Sequence, residues 1–245
     1  MILVLLEKIL HVSLIAPFIL FSMKNRNPES LKIVLVFVLY FIVNGCLLHL
    51  PFEYQSTWII KGDWNWSGKI YAILGSVIFL LVYRKFKLAD YYLTFKQERV
   101  FLKKGYIIIG ILLLIGSIMS FIFSTKMEWD WETILFQLTL PGIDEEIAYR
   151  GIMLGLLTKV LKPQIKVGKI NIGNFAILIT ALLFGFTHGL LITESFNIEL
   201  RLYPLIRTFI MGLIWGWITI KSGSILLALI SHNLGNVSDK LIRMR

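Results

Sequence analysis

The sequence predicts an all-α, polytopic transmembrane bundle of about eight membrane-spanning helices, and three observations lead there. The 245 residues are 57% hydrophobic and only 16% charged, with a mean hydropathy of +0.76, whereas a soluble domain carries closer to a quarter charged residues. The apolar residues fall in runs near the length needed to cross a bilayer. Eight spans of about 20 residues take about 160 and leave about 85 for loops and ends, so one integral membrane domain over 1–245 fits and a separate soluble domain does not. The formal net charge is +10, and the basic residues gather in a few connections between spans. Positively charged cytoplasmic loops produce that pattern. The charge therefore argues for the lipid bilayer and against nucleic acid as partner.

Span 1 runs from about Ile2 to Met23. It lacks a basic n-region and an obvious cleavage site, so it is read as a retained span and not a removed signal. Glu7, Lys8 and His11 lie near its start, where they are expected to reach the interface. A polar loop, Lys24 to Glu29, precedes span 2 at about Ile33–Leu50, which Pro51 is expected to end. His49 sits at that edge, and Cys46, the only cysteine, is read as a small buried apolar residue. A lone cysteine excludes an intrachain disulfide and a cysteine-based metal site. From Pro51 to Lys69 the chain carries Phe52, Tyr54, Trp58, Trp64 and Trp66. Aromatics at this density beside a span predict an interfacial belt, with substrate docking as the alternative.

Span 3 is about Ile70–Tyr83, and a basic segment from Arg84 to Lys104 follows, of which Leu88–Phe95 is expected to lie on the membrane as a short amphipathic helix. Span 4 is about Tyr106–Phe123, and the acidic connection Lys126–Glu132 reads as external. Span 5, about Ile134–Leu161, is long, and Pro141-Gly142 should kink or restart it. Lys159, Lys162, Lys166 and Lys169 mark the next loop as cytoplasmic. Span 6 is about Phe175–Ile192 and span 7 about Pro204–Ile220, with a tight turn at Lys221–Ser224, and span 8 is about Ile225–Val237. Alternation of the basic loops places both termini outside, while the tail residues Lys240, Arg243 and Arg245 pull the other way.

The informative stretch is Pro141-Gly142-Ile143-Asp144-Glu145-Glu146-Ile147-Ala148-Tyr149-Arg150-Gly151 inside span 5. A carboxylate at the centre of a span costs roughly 2.5 kcal/mol or more, so such residues are rare and mark function. Glu146 and Arg150 are four apart and share a helix face, where they can pair. Glu145 is turned about 100° away, free to point at a cavity. Phe184 and His188 on span 6, and His232 and Asn236 on span 8, repeat the four-residue spacing. One buried histidine alone reads as a helix contact, but polar residues on three separate spans read as a site.

That set suits peptide hydrolysis. Glu145 with His188 can hold a water and deprotonate it, and His232 with Asn236 can donate to the oxyanion. A second reading makes Glu145, His188 and His232 the ligands of a zinc ion with an open position for water. Other protease signatures are missing: there is no His-Glu-x-x-His, no Gly-x-Ser-x-Gly and no pair of intramembrane aspartates.

Glu145-Glu146-x-x-x-Arg150, Phe184-x-x-x-His188 and His232-x-x-x-Asn236 together resemble the motif set of the CAAX protease and bacteriocin-processing (CPBP, or Abi) membrane peptidases, whose eukaryotic relative is the type II CAAX prenyl endopeptidase. The resemblance covers about residues 130–240, the expected peptidase core. It implies an eight-helix intramembrane peptidase with Glu145 as base, His188 as its partner on the water, and His232 and Asn236 as oxyanion donors. Glu146 and Arg150 would support them, with Phe184 as a wall. The family is commonly labelled metallopeptidase, and a metal-free glutamate mechanism has also been argued for it, toward which this sequence leans. The implied substrate is a membrane-associated peptide or protein, with peptide maturation, signalling or bacteriocin self-immunity as the role. The lysine- and isoleucine-rich composition points to a bacterial cell membrane. The competing expectations are a non-catalytic immunity or scaffold protein and a small proton-coupled transporter.

Overall fold

The computed structural model describes every residue except Lys169, so that lysine of the basic loop lies outside the described residues. The helices are α1 (Ile2–Ser22), α2 (Pro28–Glu53), α3 (Trp66–Val82), α4 (Arg99–Phe123), α5 (Trp131–Leu138), α6 (Leu140–Glu145), α7 (Leu154–Val160), α8 (Phe175–Gly189), α9 (Leu202–Ser222) and α10 (Leu226–Arg243). A π-helical segment, Glu146–Met153, joins α6 to α7. The expected spans map onto these elements in order, the fifth being the broken rod α5–α6–π–α7. By length and composition α1, α2, α4 and α9 are apolar enough to cross a membrane, and α3 and α8 are shorter apolar helices. The chain is an all-α integral, multi-pass membrane protein, and its outward-facing Ile107, Ile111, Leu114 and Ile118 on α4 are exposed as a lipid-facing surface requires.

Polar side chains begin several helices by capping free N–H groups. Asn27 accepts from Ser30 N at 2.8 Å, Asn65 from Gly68 N at 3.0 Å, Asp130 from Thr133 N at 2.9 Å and Asn174 from Ala176 N at 2.8 Å. Gly223, with φ +76°, ends α9 in the left-handed conformation that favours glycine, which is the expected tight turn. The central contact is α8 against α9. A Cβ on Gly212 would meet Ala181 Cα at 3.0 Å, and one on Gly216 would meet Ile177 Cγ2 at 3.0 Å. Small residues four apart let the two backbones approach closely.

The basic connections meet on one face. Met23 bridges Leu161, Lys24 Nζ donates to Thr158 O at 3.0 Å, Lys85 pairs with Glu29 at 2.8 Å, and Lys159 with Asp90 at 2.5 Å. The hydrogen bond from Lys159 holds the Asp90 carboxyl below the usual carboxylate range. The site residues lie toward the opposite end: Glu145 is fifteen residues before Val160, about 22 Å of helical rise.

Several expectations need correction. Leu88–Phe95 is not a surface helix: Leu88–Tyr91 is one 3-10 turn, and Tyr91 is buried against Gly155 because that glycine leaves room for its backbone and ring. Pro51 does not end α2, which runs on to Glu53. Lys8 and His11 are buried and not interfacial, because α1 packs on α8 and on an antiparallel hairpin, β3 (Leu190–Ile192) with β4 (Ile198–Leu200). His11 Nε2 meets Leu190 O at 2.7 Å, and Glu7 accepts from Ile192 N at 3.3 Å. Gly45 makes space for the Lys8 stem. β3 was expected to be the end of span 6, and a second hairpin, β1 (Ile165–Val167) with β2 (Ile170–Gly173), lies in the basic loop. α4 starts at Arg99 and α10 continues to Arg243, both longer than their apolar runs. Trp64 and Trp66 fold inward onto Phe136, both rings 5.1 Å from it, and so are not part of an interfacial belt.

Candidate functional site

The helix break that builds the site is local. α5 ends at Thr139, whose φ of −122° and ψ of −85° are not helical, and α6 restarts with Pro141 in its first turn. This is the interruption that Pro141-Gly142 predicts, since proline at a helix start forfeits no hydrogen bond. The break frees backbone groups that α10 satisfies: Asn233 Oδ1 accepts from Gly142 N at 2.8 Å, and Asn233 Nδ2 donates to Thr139 O at 3.0 Å. Gly142 has no alternative, because a Cβ there would overlap Asn233 Oδ1. Asn233→Ala is expected to lower stability by about 1–3 kcal/mol, the range for stranding buried polar groups. The SDS concentration at half-unfolding reads this directly, and no shift would mean that α10 does not clamp the break.

After the break, three successive carboxylates divide between two cations, Lys69 and Arg150. Asp144 is buried and accepts from Lys69 Nζ at 2.9 Å, and Glu145 Oε1 accepts from the same ammonium at 2.7 Å. Glu145 Oε2 stands 3.7 Å from His232 Nε2, too far for a direct hydrogen bond. Glu146 is fully buried, 3.1 Å from Arg150 NH1, and its Oε1 takes a 2.8 Å hydrogen bond from His232 Nδ1. The Glu146–Arg150 pairing is the one their spacing predicts, although the segment is π-helical, a geometry frequent at functional sites for which the sequence carries no signal.

Aromatic rings hold these groups in place. Trp215 stacks on His232 with centroids 4.4 Å apart and planes 14° off parallel, and its Nε1 donates to Ser231 at 3.1 Å. The Arg150 guanidinium lies 4.2 Å above the Phe184 ring, a cation–π contact in a dry setting. His188 Nδ1 donates to Phe184 O at 2.7 Å, which leaves Nε2 as an acceptor. Tyr149 packs beside Phe184 and donates to Thr187 at 3.2 Å.

A cavity of about 350 Å³ is lined by Glu145, His188, His232, Asn236 and Phe184. The sequence-derived residues therefore share one space, with Glu146 and Arg150 behind it. Trp64 and Arg207 also face it. The residue that sequence reasoning missed is Lys69, placed there in the aromatic loop but found in the first turn of α3, buried against two carboxylates.

Among the described residues no group of three or more His, Cys, Asp or Glu side chains is placed to hold a metal ion. A dication on Glu145 would also stand against the Lys69 ammonium, which already donates to Oε1 of that carboxylate. Glu145, His188 and His232 do not fit zinc as they stand.

With the geometry described, the comparisons add one match. The family model described as "Type II CAAX prenyl endopeptidase Rce1-like" matches residues 127–238. No curated protein and no solved structure matches.

Proposed function

Because the chain carries, over residues 127–238, a domain of the type II CAAX prenyl endopeptidase Rce1-like family, a family of CAAX-type proteases, we propose that it is an intramembrane endopeptidase in which Glu145 activates the hydrolytic water. The observation that carries this reading is the convergence of Glu145, His188, His232 and Asn236 on one cavity from α6, α8 and α10. Glu145 Oε2 removes one proton from the water, while His188 Nε2 accepts a hydrogen bond from the O–H that remains. The hydroxide adds to the peptide carbonyl carbon, and His232 Nε2–H and the Asn236 amide donate to the oxyanion, each worth roughly 3 kcal/mol in the transition state. Collapse breaks the C–N bond, and the proton held by Glu145 passes to the leaving amine.

Arg150 and Glu146 act indirectly. The carboxylate fixes the His232 ring through Nδ1 at 2.8 Å, and the guanidinium stands 3.1 Å from the same carboxylate as its partner in an apolar wall. No resident metal enters the reaction. The substrate class is a membrane-associated peptide or protein, and the role is peptide maturation or signalling, or bacteriocin self-immunity, in a bacterial membrane.

The test is cleavage of internally quenched peptides carrying an apolar stretch by purified protein in nanodiscs. Wild type and His188→Ala are compared with and without chelator, and metal content is read by mass spectrometry in the same samples. Expected are cleavage by the wild type without stoichiometric metal, indifference to chelator, and loss of activity in His188→Ala. About one zinc per chain, lost in the variant together with activity, would overturn the metal-free reading. No cleavage with intact binding of the same peptides would leave a scaffold or immunity protein.

A further inference from the structure

Glu145 faces a second space. Behind the substrate cavity, a chamber of about 90 Å³ is enclosed by Lys8 of α1, Asn44 and His49 of α2, and Asp144. Lys69, Glu145 and His188 line both spaces, so the carboxylate and its cation form the partition between them.

The chamber is built for a polar occupant. Asp144 is 2% exposed, and its Oδ1 and the Nδ2 of neighbouring Asn44 form a loose pair in which neither atom makes a hydrogen bond of ordinary length. Lys8 is 4% exposed, reaches past Gly45, donates to Glu7 at 2.9 Å and lies over the Phe41 ring at 5.8 Å. A buried cation and a carboxylate–amide pair too loosely placed to satisfy itself, around one void, are what bound water satisfies. At about 30 Å³ each, about three waters fit.

We propose that this chamber holds water and delivers the hydrolytic molecule to Glu145 from the face opposite the substrate. The proposal rests on the endopeptidase reading of the front cavity. An apolar peptide filling the front cavity displaces the water there, yet hydrolysis consumes one water per peptide bond. A reservoir behind the carboxylate keeps that reactant beside Glu145 when the front is occupied. The partition residues are the ones a water must pass: Lys69 donates to it, and Glu145 and His188 accept from it.

The test is radiolytic footprinting of the full chain in nanodiscs in oxygen-isotope-labelled water, with peptide cleavage measured in parallel. Phe41 and Tyr149 border the chamber and are 3% and 8% exposed, while Phe37 and Tyr91, at 0% and 1%, lie in the packed core. Phe41 and Tyr149 are expected to label about fivefold faster or more than that core pair, because bound water sits against them. Asn44→Leu and His49→Leu, on separate walls, should each reduce that labelling to the core rate and lower kcat about tenfold or more with KM unchanged, since a misplaced reactant costs rate and not affinity. Labelling of Phe41 and Tyr149 no faster than Phe37 and Tyr91, or wild-type kcat in both leucine variants, overturns the proposal. Should the wild type cleave no peptide, the endopeptidase reading falls, while footprinting, which needs no turnover, still decides whether the chamber is wet.

Discussion

Glu145→Gln is expected to lower kcat for peptide cleavage by about 10²–10⁴-fold, the usual share of a positioned general base, while the protein stays folded in the membrane. The substitution preserves size and removes only the ability to take a proton. An amide oxygen still accepts the 2.7 Å hydrogen bond that Lys69 gives to Glu145, and Lys69 keeps its full ion pair with Asp144 at 2.9 Å. The charge that disappears is the surplus one, because two carboxylates share that single ammonium. Stability should therefore move little, and KM should hold, since the cavity wall keeps its shape. Single-turnover cleavage in nanodiscs, with the SDS unfolding midpoint as the control for folding, checks both halves. Cleavage within about tenfold of wild type would remove Glu145 as the base. Unchanged peptide protection in that variant is the signature of the scaffold alternative.

The residues of the site were legible where helical periodicity alone decides who neighbours whom. Glu146 and Arg150, Phe184 and His188, and His232 and Asn236 are each four apart in sequence, and a polar pair on an apolar span has only the interior to face. Lys69 was not legible by that route. It lies at the border of an aromatic loop, where a lysine reads as an interfacial anchor, and its partners are 75 and 76 residues away. A signal did exist in charge balance: the middle of span 5 carries Asp144, Glu145 and Glu146 against Arg150, with Lys159 further on at the span's end, and an apolar interior does not hold uncompensated carboxylates. Counting charges per span asks for another buried cation, and Lys69 is the one this fold supplies. The break at Pro141 was readable from proline chemistry, whereas its repair by Asn233 depends on where α10 crosses. The hairpin β3–β4 was hidden because Leu190–Ile192 continues the apolar run of α8. The chain turns there because Gly189 packs against Leu205 and its carbonyl accepts from Arg201 N at 2.7 Å, a contact between distant segments.

Lys69→Met is the substitution expected to cost the most stability, about 3–5 kcal/mol, the range for stripping one partner from a buried ionic cluster. Methionine fills the lysine stem's volume, so packing is conserved and the loss is electrostatic. What remains is Asp144 beside Glu145, adjacent carboxylates in an apolar interior, with Asp144 Oδ1 only loosely paired with Asn44 in the wild type. His232 cannot compensate, because its Nδ1 is committed to Glu146 at 2.8 Å and its Nε2 is 3.7 Å from Glu145. Arg150 is committed to Glu146 as well. Lys69→Arg keeps the charge but replaces a compact ammonium with a planar fork in a site shaped for one point donor, so partial recovery is expected. Adding Asp144→Asn to Lys69→Met removes half of the stranded charge, and the double-mutant cycle should return a coupling of about 1–3 kcal/mol. SDS unfolding midpoints of the four proteins measure the cycle. A Lys69→Met protein as stable as wild type, or a coupling near zero, would show that the carboxylates do not depend on this cation. Glu145 would then have to be held for catalysis by His188 and His232 alone.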